Sequence, residues 1–400
     1  MAAASREPRG APVRRAVPAA AATDAGDLPL DALYEVLLRL PAKLLCRLRA
    51  VCRPWRCLLS DPQFAAAHAA RHPGPLVIAS RLGTVERGSL VDILDMSGQI
   101  VKRVRGEEGD MVMGMAADLV GVKTVDTGSF RLLNPATGAV SHLPDKLAEE
   151  HAARGFSLRH YGEPVYLFGK VASTGECKVL RMLPYRRRNR NREDLFEVCT
   201  ANSSSHAQWR GMQAPPAKFV WNELTRVVIG GVVYFLSVSA YFAVLNRRAI
   251  EQDWIVSFDL EAEEWRPNIR GPSSFIEDAI FMFNGHYGPG SRQITLANLN
   301  DSLVIVHGPA PFMDLWFLVD SEKGLWVKQY SVEVERCGRH LPMHPLLVLE
   351  DGRIVTLIRC MRLLQIYNPR TNSFADLMEL GHSSAISMYT GNLLSLDGEN

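Results

Sequence analysis

Two histidine pairs come nearest to a spacing that could do chemistry. His68 and His72 stand four apart, which on a helix puts both imidazoles on one face. That is half of a metal site. Zinc asks for three or four ligands, and no third is evident, so the pair reads as loosely packed or solvated. His340 and His344 repeat the spacing in a proline-flanked stretch that reads as a loop, and they too lack a third ligand. The seven cysteines (Cys46, Cys52, Cys57, Cys177, Cys199, Cys337 and Cys360) are scattered, odd in number and without a C-x-x-C. They read as reduced thiols of cytosol or nucleus, the first three as small apolar packing residues. G-x-x-x-x-G-K, G-x-G-x-x-G, H-E-x-x-H and G-x-S-x-G are all missing. No catalytic residue, metal or other cofactor is expected.

Arg186, Arg187, Arg188, Arg190 and Arg192 crowd one stretch, "YRRRNRNRED". One reading is a nuclear-localisation or phosphate-binding patch. The favoured one is an exposed loop between strands, softened by Glu193 and Asp194. The net charge of +2 is split unevenly: residues 1–72 hold 11 bases and 6 acids. This is too weak for a nucleic-acid surface, and base-stacking aromatics are not interleaved with the arginines. Nothing approaches 18 consecutive apolar residues, so no membrane span is expected. Residues 1–26 are rich in Ala, Pro and Arg and poor in acids, as a transit peptide would be. Pro8, Pro12, Pro18 and Pro29 argue for a disordered tail instead.

The elements that follow divide by period. From residue 27 the apolar spacing is helical. Leu30, Leu33, Leu37 and Leu40 form one stripe, Asp31 favours the helix start, and Pro41 ends it. Tyr34, Val36 and Leu38 cover much of the remaining face. Leu44, Leu45, Leu48, Val51 and Cys52 repeat the pattern, and Asp61-Pro62 opens a further helix as N-cap and first helical residue. A head of roughly 45 residues is near the size at which a core rarely stands alone. Its second apolar face needs cover, from the following domain or from a partner protein.

These residues carry a resemblance. The run from Leu28-Pro29 to Leu40-Pro41, followed by Leu45, Leu48-Arg49, Val51-Cys52, Trp55-Arg56, Leu58-Leu59 and Asp61-Pro62-x-Phe64, resembles an F-box. More particularly it is similar to the F-box of the plant families with C-terminal repeat domains. Departures are small: Ala32 replaces the bulkier apolar residue more usual after Asp31, and Ala50 is a small residue before Val-Cys. The resemblance implies docking on the Skp adaptor of the cullin–RING ubiquitin ligases. It implies Leu28, Pro29, Leu33, Val36, Leu37, Leu40 and Pro41 as adaptor-binding, with Leu44, Leu48 and Trp55 beside them or in the domain's own core. The sequence alone does not divide contact from core.

From residue 75 short apolar runs alternate with Gly, Asn, Asp and Pro turns, the pattern of hairpins. One unit recurs: a strand ends in Asp, Asn or Ser, and an apolar or aromatic residue follows six positions later. The pairs are Asp95 and Val101, Asn134 and Val140, Ser203 and Trp209, Asp259 and Trp265, Asp320 and Trp326, and Asn368 and Phe374. The Asx residue builds the turn, and the residue at +6 returns to the buried face. The three tryptophans read as core rather than a ligand-stacking box. Further hairpins lie at 227–237, 296–308 and 345–358, the last with Asp351-Gly352 at its turn. Units of about 50 residues with four strands each predict a β-propeller, six blades favoured, kelch-like rather than WD40-like. A β-sandwich array is the alternative. This part also resembles the F-box-associated domains of plants.

The expected fold is therefore α plus all-β and multidomain: tail 1–26, three-helix head 27–72, propeller 75–400. The expected function is a non-catalytic substrate receptor of a ubiquitin ligase in cytoplasm or nucleus, its partners the Skp-type adaptor and a protein client. Long segments at 145–164, 184–194, 239–252 and 284–293 are the candidate client loops. A scaffold that binds the adaptor without degradation is one alternative, and a propeller enzyme is another.

Overall fold

The computed structural model describes residues 29–40, 44–45, 48–72, 74–81, 89–116, 118–185, 193–201, 207–246, 254–272, 292–309, 312–334, 343–381 and 383–389. The head contains α1 (Leu30–Leu38), α2 (Arg53–Leu59) and α3 (Pro62–Arg71). The rest is six antiparallel four-stranded blades in a ring. Written from the centre outward, the first blade is β24 (Ser383–Tyr389), β1 (Leu76–Arg81), β2 (Ser89–Leu94) and β3 (Ile100–Arg105). The second is β4 (Asp110–Ala116), β5 (Leu119–Thr124), β6 (Phe130–Leu133) and β7 (Val140–His142). The third is β8 (Val165–Lys170), β9 (Cys177–Leu183), β10 (Leu195–Ala201) and β11 (Arg210–Met212). The fourth is β12 (Arg226–Ile229), β13 (Val232–Leu236), β14 (Ile255–Asp259) and β15 (Glu264–Ile269). The fifth is β16 (Arg292–Leu299), β17 (Ser302–Pro309), β18 (Phe312–Asp320) and β19 (Leu325–Glu333). The sixth is β20 (Met343–Val348), β21 (Ile354–Ile358), β22 (Leu363–Asn368) and β23 (Ser373–Glu379).

The innermost strands touch one another around the ring, β4 to β8, β12, β16, β20, β24 and back to β4. Closure falls to β24, which pairs with β1, Leu76 opposite Tyr389. The closing segment is thus 383–389, while the "GNLLSL" stretch lies outside the described residues.

The repeated turn works as its chemistry predicts. Asp95 Oδ1 accepts the Ser97 and Gln99 amides at 2.9 and 3.0 Å. Asn134, Asp259, Asp320 and Asn368 take the amide two residues on in the same way. All of these hairpins are the outer pair of a blade; Ser203, the least regular, lies outside the described residues. Two of the inner hairpins, β12–β13 and β16–β17, turn on left-handed pairs, Gly230-Gly231 and Asn300-Asp301, whose positive φ suits two-residue loops.

The +6 tryptophans are core residues with a second task. Trp209 Nε1 donates to Pro144 O at 2.7 Å, Trp265 Nε1 to Gln213 O at 2.9 Å, and Trp326 Nε1 to Arg270 O at 2.7 Å. Each acceptor lies just past the outermost strand of the preceding blade, so the indole fills its own blade and pins the neighbour.

Candidate interaction surfaces

The head folds around Leu37, Leu38, Leu45, Leu59 and Phe64, all buried. Tyr34 meets the Phe64 ring edge-on at 5.1 Å. These residues are continuous with Ile78, Leu90, Val91 and Ile93 of the first blade, so the propeller covers part of the apolar head. Leu33, Leu40, Leu48 and Trp55 pack against the same core half-buried. What the head leaves in water is Val36 at 47 %, Leu44 at 42 % and Val51 at 61 % exposure. Pro29 is exposed as well, and Leu28 and Pro41 lie outside the described residues. The ten sequence candidates therefore sort physically: Leu37 is internal, four are half-buried, and Val36, Leu44 and Pro29 face outward.

His68 and His72 differ from what their spacing suggests. They are neither loose nor simply solvated. His68 is buried, and its Nε2 lies 2.9 Å from Leu40 O, while His72 Nε2 lies 3.0 Å from Leu38 O. The stacked imidazoles, 4.2 Å apart, thus satisfy carbonyls that the end of α1 leaves unpaired. Sequence spacing showed the shared face but not what it faced. Burial lowers the His68 pKa, against the bond to Leu40, and the neighbouring His72 lowers it further. Cys52 and Cys57 also depart from expectation, since both are exposed thiols rather than packing residues.

His344 lies in β20 rather than in a loop, and its Nδ1 is sealed from solvent with no partner. His340 lies outside the described residues. Burial, aided by the Arg359 charge, lowers the His344 pKa to about 4 from an ordinary 6.5. A base whose pKa falls on folding adds stability above its unfolded value and loses it as pH drops. Acidification from pH 6.5 towards 4 should therefore cost the propeller about 3 kcal/mol through this one residue. Urea unfolding at stepped pH measures the slope, and His344→Gln should remove this contribution. An unchanged slope in that variant would refute the assignment.

Strand polarity divides the ring into two faces. Counting outward, connections from strand one to two and three to four leave by one face, and all others by the opposite face. The chain enters β1, the second strand of its blade, from the first of these, so the head joins the face of the Asx turns. By strand order the connections β7 to β8, β9 to β10, β13 to β14 and β15 to β16, which contain the four candidate segments, belong to the other face. Residues 186–192, 247–252 and 284–291 lie outside the described set, and Arg292 and Gln293 already belong to β16. A short α4 (Glu149–Ala153) lies in segment 145–164. Segment 239–252 is not a plain loop either, because α5 (Val238–Asn246) occupies most of it. The sequence "VSAYFAVLN" lacks a polar face, so its helical period was hidden.

This second face has fixed and open parts. Glu197 Oε1 accepts the Ala148 amide at 2.8 Å and lies 3.0 Å from His151 Nδ1, fastening the 145–164 segment to β10. Arg181 donates to Glu197 Oε2 and to Lys146 O, and its guanidinium lies 4.1 Å from the Trp209 ring centre. Elsewhere Phe242 on α5 is 54 % exposed and Met361, between β21 and β22, 43 %. Arg359 bonds Glu223 across the mouth of the ring, and Val238 N donates to Lys218 O at 2.9 Å.

Comparison with known proteins agrees with this architecture. Residues 26–66 match the F-box domain, and residues 108–376 match the F-box associated beta propeller domain. The chain is similar to F-box protein At3g07870 of Arabidopsis thaliana, 24 % identical over 88 % of this chain and 87 % of that one. It is similar to F-box protein CPR1 of the same plant, 24 % identical over 82 % and 79 %. It also resembles the Arabidopsis F-box/kelch-repeat protein At3g23880, 24 % identical over 87 % and 89 %. With a helical head of F-box sequence on one face of a six-bladed ring, the chain belongs to the F-box proteins that carry an F-box-associated β-propeller.

Proposed function

We propose that this protein is the substrate-recognition subunit of a cullin–RING ubiquitin ligase in cytoplasm or nucleus. Its F-box docks a Skp-type adaptor, and its propeller holds a protein client for ubiquitination. The observation that carries this reading is the placement of the two parts: the head joins one face, and the long segments open on the other. Such a body does no covalent chemistry itself. It raises the effective concentration of client lysines beside the charged conjugating enzyme. Val36 and Leu44, with Pro29, are the outward residues for the adaptor; Leu37 supports them from inside, and Leu28, Leu33, Leu40, Pro41, Leu48 and Trp55 complete the proposed region.

Full-length protein carrying Val36→Asp with Leu44→Asp should bind purified adaptor on the order of 100-fold more weakly, the loss of two buried aliphatic contacts. Its thermal unfolding should match the parent. Binding by the variant equal to that of the parent would overturn this assignment of the contact.

A further inference from the structure

The mouth of the ring holds more positive charge than it uses. Arg226 opens β12, the innermost strand of the fourth blade, and one terminal nitrogen of its guanidinium is buried without an acceptor. The charge that acts on it is the Glu223 carboxylate, and burial lowers the Arg226 pKa despite that neighbour. Glu223 is already engaged by Arg359, from the sixth blade, and remains 64 % exposed. Two guanidiniums therefore share one carboxylate that sits mostly in water. Exposed pairs of this kind are worth little, so Glu223 is easily displaced or supplemented. A desolvated cation lacking its full complement of acceptors is costly, and such groups gather where a ligand is to supply them. Met361, two residues on from Arg359, is 43 % exposed, and Phe242 on α5 opens on the same face.

Resting on the client-receptor reading, we propose that Arg226 and Arg359 form a carboxylate-binding subsite at the ring mouth, reading an acidic residue of the client next to an apolar one. The client carboxylate joins Glu223, so that two carboxylates face the two guanidiniums and the local charge falls from +1 to zero. Charge complementarity selects the acid, and Met361 receives the neighbouring apolar side chain. Arginine is suited to this because its planar fork matches a carboxylate and stays charged when partly desolvated.

The test uses the full chain bound to its adaptor and a displayed library of random decapeptides. Enriched peptides should carry Asp or Glu beside an apolar residue. Synthetic peptides from that pool should lose at least tenfold in affinity when Arg226→Met and Arg359→Met are combined, with adaptor binding unchanged. Enrichment without acids, no enrichment, or equal affinity for the variant would overturn the subsite. Adaptor binding is read on the same samples, so failure of the receptor assignment shows separately. Arg226→Met alone separates a ligand-binding role from a structural one. Losing an unsatisfied buried charge should raise the melting temperature by roughly 2–4 °C. A fall would mean that Arg226 holds the propeller together, and the subsite would be abandoned.

Discussion

Arg181→Met should lower the stability of the propeller by roughly 3–5 kcal/mol, the cost of leaving a buried carboxylate without its cation. Glu197 is fully enclosed in β10, its side chain at 0 % exposure and that of Arg181 at 3 %. Burial alone would raise the Glu197 pKa. The bond with His151, the Arg181 charge and the Ala148 amide outweigh it and hold the carboxyl below the usual range. Methionine keeps an apolar contact with Trp209 but returns none of that compensation. Arg181→Met with Glu197→Leu should be less harmful than Arg181→Met alone, because no buried charge is then stranded. It should still fall short of the parent, since the Ala148 amide and His151 lose their acceptor. A double-mutant cycle by chemical denaturation measures the coupling. Additive losses would mean that the pair does not act as a unit.

The second large effect concerns neighbours in sequence that differ in burial. Leu37→Asp should unfold the helical head, whereas Val36→Asp should change its stability by no more than about 0.5 kcal/mol. Leu37 is 1 % exposed and Val36 47 %. The first substitution forfeits about 2–3 kcal/mol of apolar burial and adds the cost of a charge in the core. A head of this size has little stability to lose. Limited proteolysis and helical ellipticity report the outcome. Equal behaviour of the two variants would contradict the packing of α1. Loss of adaptor binding on changing Leu37 would consequently say nothing about contact, while the same loss on changing Val36 would.

What could be read from the residues was local. The Asp95, Asn134, Asp259, Asp320 and Asn368 turns declare themselves because a side-chain oxygen meets an amide two residues on. The head was recognisable from its Leu-Pro pairs and helical stripe. Long-range partners were hidden: Trp265 meets Gln213, and Arg181 meets Glu197, through folding rather than spacing. The two faces could not be separated either, because that needs the strand order. Likewise the stripe of Leu30, Leu33, Leu37 and Leu40 marks one face of α1, but that Leu37 is buried and Val36 stays in water depends on where α1 lies against Phe64 and Leu59.

Closure by β24 has a consequence for synthesis. The inner edge of β1 finds its partner only after some three hundred further residues have been made. At translation rates of roughly 5–20 residues per second, that edge stays open for about 15–60 s. An unpaired strand edge invites pairing with another chain. The helices of the head, made before any blade and sharing a core with β1 and β2, stand beside that edge throughout. A nascent chain thus carries its helical head while its ring is still an open crescent, the head's shared core lacking Tyr389 until the last strand is made. Premature stops before Ser383 would leave it so, with the inner edge of β1 unpaired and the ring never closed.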